Sequence, residues 1–288
     1  MNKKFPSFSL AELKAGVAKG TFTTTTLKNT PSQTIDIYAP TPAYFNQSHV
    51  ADKPLNQFDV WYVESHNSGT PVTKEAHNYD ELYRYDGQIY EFLVHNVLNY
   101  NGHKVLAQTA MDLAEKQGLN KADTVIVDMG AGHGPMLQVL REKGFKGNLI
   151  GLEISEAAKK AHDTSHSYPY LKYRYDDYWL GRLSSQPHLL QQLKQKSPAI
   201  FVAASISPLN EAMDDIHEAL KIMKPKCYFI INMAFNESSD KMYAYISNLE
   251  QQGYLSIEKK QNYQHRSHLN GAPLFFDCFT YKILKPIT

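Results

Sequence analysis

The chain has 288 residues, 42% of them hydrophobic and 20% charged, with a formal net charge of +1. That composition belongs to a globular protein able to bury a core without metals or disulfides, and it excludes a disordered or collagen-like chain. Charge this near neutrality supplies no field for a polyanion, so nucleic acid is not an expected partner.

Residues 1–78 read as an N-terminal extension or cap. Met1-Asn2-Lys3-Lys4-Phe5-Pro6 is not followed by the apolar stretch of a signal peptide. Ser9 and Glu12 have the spacing of a capping box, which predicts a helix start. A polar segment from Thr21 to Thr26 follows, and prolines at 31, 40, 42, 54 and 71 interrupt any long element. Aromatic residues persist (Phe22, Tyr38, Tyr44, Trp61), which argues for an ordered segment, with a short strand at Trp61-Tyr62-Val63. This extension holds seven lysines and six acids, a poor phosphate-binding module.

Residues 79–288 read as the main domain. Leu82, Tyr85, Ile89, Phe92, Leu93 and Val97 mark one face of a first helix, and His103 to Gln117 a second, ended by Gly118. Strands and helices then alternate: strand Thr124–Asp128, helix Met136–Lys143, strand Leu149–Ile154, helix Glu156–His162. They continue with strand Leu171–Tyr175, helix Leu189–Lys194, strand Ala199–Ala204, helix Asn210–Met223, strand Tyr228–Met233 and helix Asp240–Gln251. Strands Ser256–Tyr263 and Leu274–Leu284 close the chain. This alternation predicts an α/β fold: a mostly parallel sheet with helices on both faces. No window approaches the ~20 apolar residues of a membrane span. Cys227 and Cys278 lie in apolar runs far apart, which fits buried thiols in a reducing compartment. A cytoplasmic protein without a metal site is expected; its oligomeric state is not legible.

The sharpest local signal is Val125-Ile126-Val127-Asp128-Met129-Gly130-Ala131-Gly132-His133-Gly134, an apolar strand ending in an acid and then three alternate glycines. Glycine lets a backbone turn tightly and approach a ligand closely. A dinucleotide fingerprint would carry its third glycine one residue later, where Pro135 stands. Asp128 would repel a pyrophosphate but suits a ligand with a cationic amino-acid end. S-adenosylmethionine, with an ammonium, a sulfonium and no phosphate, has that chemistry. Glu153 follows Gly134 by 19 positions, at the end of the next strand, where an acid accepts hydrogen bonds from ribose hydroxyls.

This pattern, Asp-x-Gly-x-Gly-x-Gly and then an acid-x-Ser, resembles the Rossmann-like (class I) S-adenosylmethionine-dependent methyltransferases. The resemblance implies a seven-stranded sheet with an antiparallel final strand. It implies a cofactor site of Asp128, Gly130, Ala131, Gly132, Gly134, Glu153, Ile154 and Ala204. An acid at the third strand's end, Asp176 or Asp177, would meet the adenine amino group. Ser205 and Ser207, after the fourth strand, would line the substrate site. Tyr79 and Tyr83 would lie as a lid, Tyr83 on the cofactor and Tyr79 on the substrate, although core packing of their helix accounts for them equally well. His133 reads either as a loop residue reaching solvent or as a base facing the methyl acceptor. His217 is the other candidate base, or a surface histidine, and His265 and Arg266 read as a charged hairpin turn. The expected acceptor is a small molecule, methylated on oxygen or nitrogen. The alternatives are a catalytically silent cofactor-binding protein and an RNA-modifying methyltransferase; Asp128 and the early third glycine stand against a nicotinamide oxidoreductase.

Overall fold

The computed structural model describes residues 17–24, 33–40, 62–65, 83, 90, 94–95, 98–163, 172–204, 212–234, 239–267 and 272–287. The chain divides into two compact units, Met1–Tyr100 with Ser267–Pro273, and Asn101–Arg266 with Leu274–Thr288.

The first unit carries a three-stranded sheet in the order β1-β2-β3, formed by Val17–Thr24, Gln33–Pro40 and Tyr62–Ser65. Both pairings are antiparallel, with Val17 opposite Pro40 and Ile35 opposite Ser65. The threonine run read above only as a polar segment is thus largely strand, as β-branched side chains favour. Tyr83 is buried, its ring stacked on Tyr90 at 4.7 Å. The helix start at Ser9 and most of the helix expected over 78–97 lie outside the described residues.

The second unit alternates α1 (Gly102–Lys116), β4 (Val125–Met129), α2 (Pro135–Glu142), β5 (Asn148–Glu153) and α3 (Glu156–Asp163). It continues with β6 (Asp177–Leu180), α4 (Pro187–Lys196), β7 (Ile200–Ala203), α5 (Ala212–Ile222), β8 (Tyr228–Ala234), α6 (Asp240–Gln251), β9 (Leu255–Ser267) and β10 (Pro273–Ile283). The seven strands lie in the order β6-β5-β4-β7-β8-β10-β9. The neighbours from β6 to β8 are parallel, and β10 is antiparallel to β8. This is the Rossmann-like, mostly parallel seven-stranded sheet expected from the sequence, with its antiparallel final strand.

Strand alternation builds two cores. Val125, Val127 and Met129 of β4 face one side, where they join Leu189 and Leu193 of α4, Ile216 and Leu220 of α5, and Met242 and Ile246 of α6. Ile126 faces the other, against Leu106 and Ala110 of α1 and Leu137 and Leu140 of α2. Burial on both faces explains why β7 is wholly apolar and why β4 and β8 each carry a single polar side chain, Asp128 and Asn232. The chain leaves β4 towards β5 on one side and reaches β7 on the other. This reversal is the switch point where open α/β sheets hold ligands, at the carboxyl ends of the strands. Among the described residues no helix is long and apolar enough to cross a membrane.

One strand departs from the sequence reading. The third strand is not Leu171–Tyr175 but β6, Asp177–Leu180, with Asp177 opposite Ile150 and Leu180 opposite Glu153. The run Tyr173-Arg174-Tyr175 instead precedes the strand, and Tyr175 is buried in the core beneath α2.

Candidate functional site

The loop after β4 is shaped by its glycines. Gly130, Gly132 and Gly134 have φ of +79°, +55° and +103°, a region that side-chain-bearing residues rarely enter. The N–H groups of Gly130 and Ala131 both donate to the Leu152 carbonyl, at 2.9 and 3.0 Å, which fastens the loop to β5. Gly134 stands at the N-terminus of α2, followed by Pro135 in the first helical turn, where a missing N–H costs nothing. A Cβ on Gly134 would stand 3.2 Å from His162 Nδ1 and 3.4 Å from the Tyr175 ring.

Asp128, the penultimate residue of β4, is 3% exposed. Its Oδ2 accepts the Tyr175 hydroxyl at 2.5 Å, and its Oδ1 has no hydrogen-bond partner among the described residues. Burial pushes its carboxyl up to about 7; the Tyr175 hydrogen bond works against this, and the charge of Glu153 adds to it. A buried carboxylate with an unpaired oxygen is costly in isolation and is relieved by a cation.

Glu153 ends β5, as expected, and its carboxylate is already in use. Oε2 accepts the Gly132 N–H at 2.8 Å; Oε1 accepts those of Ile154 and Ser155 at 2.8 and 2.9 Å. Ser155 in turn caps α3, its Oγ accepting the Ala158 N–H at 3.0 Å. A carboxylate offers about four acceptor positions, so three backbone donors leave one. Beside it Ile154 is 50% exposed, a large apolar side chain open at the strand tips.

The two aspartates proposed for adenine do not stand at a strand tip. Asp176 precedes β6 and Asp177 opens it, and in a parallel pair the level of Glu153 is held by Leu180, ~10 Å beyond Asp177 along the strand. Asp176 accepts the Leu149 N–H at 2.7 Å and pairs with Arg141 at 2.7 Å, closing the far end of the sheet. Asp177 pairs with Lys196 at 2.6 Å. Gly181 follows the true tip, its N–H donating to the Glu153 carbonyl at 2.8 Å.

Three residues that sequence reasoning passed over brace the loop. Tyr175 holds Asp128, and the Tyr178 hydroxyl donates to the Gly132 carbonyl at 2.6 Å. His162 Nδ1 lies 3.1 Å from the His133 carbonyl, its ring stacked on Tyr178 at 4.7 Å, and burial pushes its pKa down to about 4. The only advance signal was the density of aromatic residues after α3.

The candidate bases are placed differently from expectation. His133 is fully buried, so it neither reaches solvent as a loop side chain nor offers an open face to an acceptor. His217, on α5, has Nδ1 2.7 Å from the Tyr245 hydroxyl of α6, a bond between two helices. His265, expected in a surface turn, is a buried strand residue: β9 runs to Ser267, and the ring stacks on Phe276 at 3.8 Å. Ala131 is buried in the loop, and the Ala204 N–H donates to the Met129 carbonyl at 3.1 Å, beside the loop. Tyr83 belongs to the first unit. Tyr79, Ser205 and Ser207 lie outside the described residues.

No protein-family model matches the sequence, and no curated protein matches it. Solved structures similar in fold include a putative RNA methyltransferase from Pyrococcus horikoshii, at 14% identity and a TM-score of 0.45, over 62% of this chain and 84% of that one. Another is magnesium protoporphyrin IX methyltransferase from Synechocystis with bound SAM: 13% identity, TM-score 0.47, 63% and 80% covered. A third is a putative sarcosine dimethylglycine methyltransferase from Galdieria sulphuraria: 12% identity, TM-score 0.45, 69% and 88% covered. Likeness at this level says nothing about acceptor or activity, and the fold rests on the strand order itself.

Proposed function

We propose that the second unit binds S-adenosylmethionine at the carboxyl ends of β4 and β5 and that the protein methylates a small molecule on oxygen or nitrogen. The observation that carries this reading is Asp128: buried, held through one oxygen by Tyr175, with its other oxygen unpaired, directly before three left-handed glycines. A carboxylate so placed attracts an ammonium and repels a pyrophosphate.

The residues present fit that ligand. Asp128 Oδ1 would take the ammonium, and the remaining acceptor position of Glu153 a ribose hydroxyl. Ile154 would pack on the adenine ring, and the glycines keep the loop backbone clear of Cβ atoms. When bound, the cofactor supplies a methyl group on a positively charged sulfur. The chain's own work is then to align the acceptor and exclude water, which lowers the barrier without a dedicated base. Such a base is required only for an acceptor that holds its proton near neutral pH. No base is assigned here: His133 is buried, and His217 is bonded through Nδ1 to the Tyr245 hydroxyl.

Titration calorimetry tests the site. Asp128→Ala and Glu153→Ala should each weaken cofactor binding about tenfold or more, the size of a hydrogen bond to a charged group, with the far-UV spectrum unchanged. Unchanged affinity in both variants overturns the assignment.

A further inference from the structure

Tyr175 occupies a position that no motif predicts. Its ring is wedged under the loop: a Cβ on Gly151 would stand 3.0 Å from it, and one on Gly134 3.4 Å. Two glycines on different elements, one outside the loop motif, are therefore fitted to this one side chain. The ring centroids of His162 and Tyr178 lie 5.3 and 5.6 Å away, and Tyr175 is itself buried. Packing of this kind fixes the hydroxyl, which points at Oδ2 of Asp128 at 2.5 Å.

We propose that Tyr175 is a positioning residue for the cofactor: its hydroxyl holds Oδ2 of Asp128 and leaves Oδ1 for the ligand's ammonium. This rests on the cofactor reading above and adds to it a proton-linked affinity set by one phenol. The chemistry is direct. Burial and the charge of Glu153 both favour the protonated acid, and the Tyr175 hydroxyl opposes them. Burial and the neighbouring carboxylate hold the phenol proton on Tyr175, so it stays a donor. The other titratable groups around this pair are Glu153 of β5, Tyr178 of β6, His162 of α3 and His133 of the loop. Tyr178 is pushed far above neutrality and His162 down to about 4.

The test compares wild type with Tyr175→Phe, which keeps the ring and loses the donor, by calorimetric titration with S-adenosylmethionine from pH 6 to 8.5. The ratio of the two affinities is the readout, because the ligand's own amino titration cancels in it. We expect the variant to bind about tenfold more weakly at pH 7, with the ratio shrinking towards one as the pH rises. Asp128→Asn should remove the difference between Tyr and Phe at position 175. A ratio constant across the pH range means that the hydroxyl acts only through packing, and it overturns the proposal while leaving the cofactor reading intact. Absence of binding by wild type at every pH overturns both. If Tyr175→Phe is unfolded by circular dichroism, wild type against Asp128→Asn decides. Wild-type affinity falling below neutrality with a flat variant supports the proton link, and two parallel profiles overturn it.

Discussion

The carboxylate of Glu153 accepts the backbone N–H of Gly132 at 2.8 Å, and its second oxygen accepts Ile154 and Ser155. One side chain thus ties the glycine loop to the start of α3. Glu153→Gln keeps one acceptor oxygen and turns an NH2 group against a backbone donor. It should cost about 1 kcal/mol, the low end for an unpaired donor because water reaches the site. Urea denaturation measures the cost, and hydrogen exchange at Gly132 should quicken.

Gly134 and Gly118 both have positive φ, +103° and +67°, but a Cβ on Gly118 would meet nothing within 4 Å. Gly118→Ala should cost about 1 kcal/mol of left-handed strain and leave cofactor affinity unchanged. Gly134→Ala adds pressure on His162 and Tyr175, so it should cost about 2–3 kcal/mol and weaken binding. Thermal denaturation and calorimetry of the pair separate the two effects.

Ile154 is half exposed and contributes little to the core. Ile154→Ser should change stability by no more than about 0.5 kcal/mol. If adenine packs on it, the loss of apolar contact should weaken cofactor binding about tenfold. Equal affinity would remove Ile154 from the site.

The pH dependence of stability pits two histidines against one acid. His162 and His265 are held neutral, with pKa lowered to about 4 and about 3. Between about pH 4 and 6.5 the unfolded chain therefore binds more protons at these sites, and stability rises with pH. Asp128, raised to about 7, acts oppositely: the fold keeps a proton that the unfolded chain releases above pH 3.8. The melting temperature should rise from pH 4 to 6.5, more steeply in Asp128→Asn and less steeply in His265→Phe. A fall over that range in wild type would contradict the assignments.

The alternation of elements, the glycine loop and the place of Glu153 at the end of β5 were legible because each is a local pattern in the sequence. The register of β6 was not. Tyr173-Arg174-Tyr175 and Tyr178-Trp179-Leu180 are both aromatic and apolar, and only pairing with Ile150 to Glu153 selects the second. That shift places Asp176 and Asp177 at the start of β6 rather than at its tip, and turns Tyr175 inwards, onto Asp128. His265 was misread for a related reason: β9 runs beyond the expected turn, and a buried histidine stacked on Phe276 looks no different in sequence from an exposed one.

Titration of the purified wild-type chain with S-adenosylmethionine and, separately, with NAD measures the central claim most directly. The account predicts saturable one-to-one binding of the first and none of the second, because a buried carboxylate at the loop admits an ammonium and rejects a pyrophosphate. Binding of NAD, or no binding of S-adenosylmethionine by the folded protein, would contradict it.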